Sequence, residues 1–200
     1  ILRCANTNIH KSLAEHLMSC GYYRKIDLVS PFVDELASFI LIENRKFFTQ
    51  EELLNLKFWS MYNNLTKIVF IKELVKENIL HTYIRDDKEV FYFAYDQMND
   101  YYCAKHIVAS SKSIDDVKLK LIDILEVNVF NRVYFGNKDL FANVCMLCSI
   151  KFKEECIDLL DDIDDDFFRR NAIESYIKSY QWRDKNTVSP KGFVDLIKKY

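Results

Sequence analysis

Apolar positions recur every three or four residues along most of the chain, the spacing of short amphipathic helices. Ile9, Leu13 and Leu17 share one face, and Gly21 can end the helix they form at about Cys20. Ser30-Pro31 marks another start, a capping hydroxyl followed by a proline whose missing N–H costs nothing in a first turn, with Phe32, Leu36, Phe39 and Ile40 on the face that follows. Thr49-Gln50-Glu51-Glu52 reads as a capping box opening a short helix to about Leu56. After the Asn63-Asn64 break, Leu65, Ile68, Val69, Ile71, Leu74 and Val75 predict a third helix, which Asn78 can close in the left-handed conformation.

At Leu80 the pattern changes. His81-Thr82-Tyr83-Ile84-Arg85 and Val90-Phe91-Tyr92-Phe93-Ala94-Tyr95 are rich in β-branched and aromatic residues and flank a polar turn over residues 86–89, which predicts one hairpin. Asp96 can cap a helix through about Ser110, and Ser113 with Asp116 can cap another through about Glu126. Helical faces then follow: Leu140, Phe141, Val144 and Leu147; Cys156, Leu159 and Leu160; Phe168, Ala172, Ile173, Tyr176, Ile177 and Tyr180; and a last helix opened by Ser189-Pro190.

Three helices before a hairpin is the order of a winged helix, whose third helix a DNA-binding member lays in the major groove. The expected fold class is therefore mainly α: a winged helix, helices plus one β-hairpin, followed by an α-helical array. The expected organisation is an N-terminal helical lead-in over residues 1–27, the winged helix over 28–112 and an α-helical, repeat-like region over 113–200. No fixed-period motif marks that last region as a repeat.

Composition agrees with this pattern. Half of the residues are apolar and 14% are aromatic, enough to bury a core, while three glycines and two prolines are too few for the turns of a sandwich, a barrel or a Rossmann crevice. The formal charge is −2, without the electrostatic footprint of a general nucleic-acid binder. The absence of a long apolar run and of a leader pattern leads us to expect a cytoplasmic protein with no membrane partner. The chain opens on Ile1, and we read it as a segment of a longer polypeptide.

Candidate chemistry is sparse. No phosphate-cradling Gly-x-x-x-x-Gly-Lys-Ser/Thr loop occurs, and Gly136-Asn137-Lys138 is an isolated turn. Cys145 and Cys148 have the spacing of half a zinc site, but without a second pair they read as core thiols, as do Cys4, Cys20, Cys103 and Cys156. Asp162, Asp164 and Asp166 imitate a calcium loop, yet Phe167 replaces the turn glycine and Ile173 the bidentate glutamate, so we read an acidic loop capping the next helix. His10, His16, His81 and His106 are scattered, and no catalytic motif includes them. We expect no metal, no catalytic residue and no enzyme activity in the chain itself.

The run from Val90 to Ala104 resembles the end of the winged helix in STAND NTPases, particularly the NACHT class, where an aromatic strand leads into a helix bearing an acidic-aromatic pair and an alanine. In that family a strand phenylalanine is followed two residues later by histidine, then by Glu-Tyr and Ala; the matching places here are Phe93, Tyr95, Asp100-Tyr101 and Ala104. Phe47-Phe48-Thr49 before the second helix and Lys76-Glu77-Asn78-Ile79-Leu80 entering the wing look similar too, and the resemblance covers about Leu28 to Ser110.

The resemblance implies a regulatory segment of a STAND NTPase, as found in bacterial antiviral defence, that packs on an upstream nucleotide-binding module and relays activation. Phe93, Asp96, Asp100, Tyr101 and Ala104 would form the domain-packing motif. Tyr95 stands where the family histidine approaches the nucleotide, and it offers only a phenol hydroxyl. ATP or ADP with Mg would belong to the parent protein, and no cofactor to this chain. A protein ligand on the helical region and a second copy upon activation are the further partners implied. The alternatives are a free-standing winged-helix DNA-binding regulator using Lys67, Lys72 and Lys76, although Glu73 and Glu77 make that face charge-mixed, and a structural helical adaptor.

Overall fold

A computed structural model describes residues 28–131 and 138–152, with isolated positions beyond them. The expected helices around residues 9–20 and 156–160 lie outside the described residues, as do Cys4, Cys20, Cys156, His10, His16, the Asp162–Asp166 loop and, apart from isolated positions such as Ile173, the expected helices over 168–180 and after Ser189. The chain is mainly helical with a small three-stranded antiparallel sheet, and it divides into two compact units, Ile1–Asn99 and Asp100–Tyr200.

In the first unit, helix α1 spans Val29–Glu43. Leu28, not Ser30, is its N-cap, and no side chain caps it. The first helical bond runs from Phe32 N–H to the Leu28 carbonyl at 3.2 Å, which leaves Pro31 within the first turn, where no partner for an N–H is required. Asn44 ends the helix at φ 49°, a left-handed position that asparagine tolerates.

Strand β1, Phe48–Thr49, was not legible as a strand: two residues show no alternation. Helix α2, Gln50–Leu54, carries the expected capping box. Thr49 N–H donates to Glu52 Oε2 at 2.8 Å, and Glu52 N–H donates to Thr49 Oγ1 at 3.3 Å. A 3₁₀ turn, Lys57–Trp59, follows, and the Glu35 carboxylate of α1 accepts from its Lys57 and Phe58 N–H groups at 2.7 and 3.0 Å.

Helix α3, Asn64–Lys76, begins with Asn63 Oδ1 accepting from Thr66 N–H at 2.9 Å. At its other end Asn78 N–H reaches the Val75 carbonyl and Ile79 N–H the Leu74 carbonyl, at 3.1 and 2.9 Å. This is a Schellman closure with Asn78 at φ 55°, in the role expected for it, and Leu74 and Ile79 are both buried beside it. Its buried face consists of Thr66, Lys67, Phe70, Ile71 and Leu74, while Leu65, one of the apolar positions that predicted the helix, is 62% exposed. The reason is Phe70, which makes edge contacts with Phe32 and Trp59 at 5.4 Å each and turns the helix so that this ring enters the core.

Strands β2, Leu80–Arg85, and β3, Lys88–Phe93, form the expected hairpin, joined by Asp86 and Asp87 at φ 51° and 60°. Two consecutive positive φ values define the primed turn whose twist suits a two-residue hairpin, so β3 starts at Lys88 rather than Val90. The strand order is β1-β3-β2, with Phe48 opposite Phe91 and Thr82 opposite Phe91 on the other side.

Helix α4 runs over Asp96–Ser110 and crosses from the first unit into the second. In the second unit, α5 spans Ile114–Asn131 and α6 spans Lys138–Phe152. Ser113 Oγ accepts from Asp116 N–H at 3.2 Å, as expected, and Asp116 Oδ2 accepts from Lys112 N–H at 2.9 Å. That bond, reinforced by Lys120, holds the Asp116 carboxyl below its usual range. The last carbonyls of α4 are capped by ammonium groups. Lys151 Nζ donates to Val108, Ala109 and Ser111 carbonyls at 2.7, 3.2 and 2.6 Å, and Lys120 Nζ donates to the Ser110 carbonyl at 3.1 Å.

Candidate functional site

The wing-and-helix unit over Leu80 to Ser110 carries every site residue expected from the sequence. In the first unit, Phe93 ends β3 and is buried, on the same strand face as the buried Phe91 and paired with the buried Leu80. Ala94 N–H then donates to the Ile79 carbonyl at 3.0 Å, tying the chain back to the entrance of the wing. Tyr95 follows, 48% exposed, and its phenol makes no hydrogen bond among the described residues. Its carbonyl accepts from Met98 and Asn99 N–H at 3.0 and 3.3 Å, so Tyr95 occupies the position before the helix and Asp96 lies within the first turn rather than capping it. Asp96 is exposed and faces Lys46 at 3.8 Å, a surface ion pair of small energetic weight.

The remaining residues belong to the second unit. Asp100 is 5% exposed, Ala104 is fully buried, and Tyr101 is half-buried with its ring edge-on to Tyr102 at 5.4 Å. A buried aspartate must be matched by a partner, and Asp100 has one. The six residues therefore separate into buried positions, Phe93, Asp100 and Ala104, and surface or half-exposed ones, Tyr95, Asp96 and Tyr101.

Tyr95 supplies a single hydroxyl, and the adjacent Asp96 places a carboxylate in the helix turn whose free N–H groups would otherwise attract a phosphate.

A second cluster, absent from the sequence reading, lies where β1 enters the sheet. The Arg45 guanidinium pairs with Glu52, donates to the Phe47 carbonyl at 2.9 Å and sits over the Phe39 and Phe47 rings at 4.8 and 5.2 Å. Arg85, at the end of β2, covers Phe47 at 4.4 Å. Cation–π contacts thus join the turn after α1 to the wing tip. Burial works to raise the Glu52 carboxyl, but the Arg45 hydrogen bond, the Thr49 N–H and hydroxyl and the Arg45 charge outweigh it and hold Glu52 below its ordinary value. Of this cluster only the Thr49–Glu52 capping box is legible in the sequence; Arg45 two residues before Phe47 forms no distinctive pattern.

The lysines assigned to a DNA-reading face are not together. Lys67 is 7% exposed, its ammonium donates to the Leu54 carbonyl at 2.7 Å and it lies 5.8 Å from the Trp59 ring centre. Only Lys72 and Lys76 remain on the surface, and Lys76 pairs with Glu73. The helix turns Lys67 inward for the same reason it turns Phe70 inward.

Cys103, Cys145 and Cys148 are buried thiols not joined in disulfides. His81 stands edge-on to Tyr92 at 5.8 Å, and among the described residues no group of three or more His, Cys, Asp or Glu is placed to hold a metal. Among those residues, too, no helix is long and apolar enough to cross a membrane. No family model matches the chain, and no curated protein matches it significantly.

Proposed function

We propose that the chain is a regulatory and sensing segment of a STAND, NACHT-like NTPase, with a winged helix over residues 28–112 and an α-helical sensor beginning at about 113. The observation that carries the reading is the sheet. A short strand between the first and second helices pairs with the returning strand of a hairpin that follows the third helix, an order and pairing compatible with a winged helix. The aromatic strand then leads through one exposed residue, Tyr95, into a helix with a buried Asp100 and Ala104, in keeping with the resemblance of Val90 to Ala104 to the NACHT class.

In this reading the chain does no catalysis. Its surface residues around Tyr95 and Asp96 dock on a nucleotide-binding module of the same polypeptide, and the parent's ATP or ADP shifts the balance between docked and undocked packings. The ligand sensed acts from the helical region, and a cytoplasmic role in bacterial antiviral defence is the setting we infer.

The gene upstream of Ile1 tests this first. A strand followed by a Walker-type loop is expected there, and a continuous reading frame lacking one would exclude the proposal. The burial of Lys67 supports this reading over a DNA-binding regulator, because it removes one of three candidate phosphate contacts.

A further inference from the structure

Between α3 and the sheet lies a cleft of about 220 Å³ lined by Gln50, Ile68, Ile71, Lys72, Val75, Thr82, Glu89 and Phe91. Its floor is apolar: Ile71 and Phe91 are buried core residues, and Ile68 and Val75 are left half-exposed on its wall. Its rim is polar. Lys72 rises from α3, Glu89 from β3, Thr82 from β2 and Gln50 from the first turn of α2. None of these four side chains has a hydrogen-bond or ion-pair partner among the described residues. In particular Lys72 and Glu89, of opposite charge and in one cleft, are not paired with each other.

Apolar walls with a few convergent polar groups are the composition of a small-molecule site. The volume lies below the roughly 300–1,000 Å³ of pockets that enclose drug-sized ligands, which is too little for a nucleotide. The two unpaired charges call for a ligand carrying both signs, and the floor calls for an apolar body.

We propose that this cleft binds a small zwitterion with an apolar body, the chemistry of a large apolar amino acid or of a dipeptide containing one. Lys72 and the Gln50 amide receive the carboxylate, Glu89 receives the ammonium, Thr82 hydrogen-bonds either group, and Ile68, Ile71, Val75 and Phe91 hold the side chain. The inference is independent of the NTPase reading, since it uses only residues 50–91.

Methyl NMR of Ile68, Ile71, Val75 and Thr82 in the full chain tests it, with titrations of L-phenylalanine, 3-phenylpropanoate, phenethylamine and N-acetylphenylalanine amide. The expected order is phenylalanine tightest and the uncharged amide weakest. Lys72→Met should weaken phenylalanine and phenylpropanoate by about threefold or more while sparing phenethylamine; Glu89→Gln should do the converse. Gly-Phe and Phe-Gly distinguish the sources: tighter binding than phenylalanine assigns the cleft to short peptides, and weaker binding to free amino acids. Absence of shifts with every compound overturns the proposal. So does binding that neither substitution changes, which would reduce the cleft to an unselective apolar surface.

Discussion

Helix α3 has two adjoining flanks that treat polar groups in opposite ways. On one, Thr66, Lys67, Phe70 and Leu74 are buried, Phe70 against Phe32 of α1 and Trp59 of the 3₁₀ turn, and even the lysine is folded in over Trp59 with its ammonium on the Leu54 carbonyl. On the other, Ile68, Lys72 and Val75 face the sheet across the cleft, and the charged groups there are left without partners. The first flank is organised for stability. The second carries exposed, hydrated charges beside the half-exposed Ile68 and Val75, and that difference makes it the flank proposed for binding.

The contrast is broken most directly by removing the ring that anchors the closed flank. Phe70→Ala should cost about 3–5 kcal/mol, because Phe70 is fully buried between Phe32 and Trp59 and its loss leaves a cavity. Urea unfolding should show this as a lower midpoint with little change in slope. A loss under about 1 kcal/mol would show that the aromatic cluster does not anchor α3.

A smaller effect is expected in the second unit. Lys151→Met leaves two carbonyls in the last turn of α4 and the Ser111 carbonyl just beyond it without their ammonium donor and should destabilise by about 1–3 kcal/mol, with faster hydrogen exchange in the last turn of α4. Lys151→Arg should restore part of the protection, since a guanidinium keeps the charge and several donors.

Next comes the cap of α2. Thr49→Ala should cost about 1 kcal/mol. Glu52 adds a pH dependence whose sign follows from its depressed folded-state pKa: the contribution is fully present above the unfolded value of 4.5 and is lost as the pH falls through the lower folded value. The wild-type chain should therefore lose stability more steeply than Glu52→Gln in that acid window, as read from denaturation midpoints at successive pH values. Parallel pH profiles would refute the assignment.

The smallest effect on stability is expected in the cleft. Lys72→Met and Glu89→Gln touch no intramolecular partner and should change stability by no more than about 0.5 kcal/mol. A larger loss in either would place that side chain in the stable flank and remove the distinction.

Much of the architecture was legible because local chemistry announces itself. Thr49 with Glu52, Asn78 beyond α3, Ser113 with Asp116 and the change of period at Leu80 each satisfy a specific backbone need, and each is used in the fold. Strand β1 was invisible because its pairing partner, Phe91, is distant in the chain, and two residues leave no pattern. The apolar positions from Leu65 to Val75 located α3 but did not fix which face is buried; Phe70, outside that set, decides the rotation by packing on Phe32 and Trp59. Ser30 and Asp96 have the residue types of caps, but both lie inside their helices: α1 already starts at Val29, and α4 starts at Asp96 itself, with Tyr95 in the position before it. The wing-and-helix motif was legible as a set of residues, and the burial of Phe93, Asp100 and Ala104 against the exposure of Tyr95 became visible only with tertiary structure. The cleft was not legible at all, since it brings together side chains from four separate elements.

The central claim is that the wing and the start of α4 form a docking element whose packing follows the nucleotide state of a parent NTPase. Hydrogen exchange over Phe91 to Tyr101 in the intact parent polypeptide, compared with ADP and with a nonhydrolysable ATP analogue, addresses it most directly. Slower exchange in this segment is expected with ADP than with the ATP analogue, with the change centred on Tyr95 to Met98; identical exchange in both states would contradict the proposed docking role.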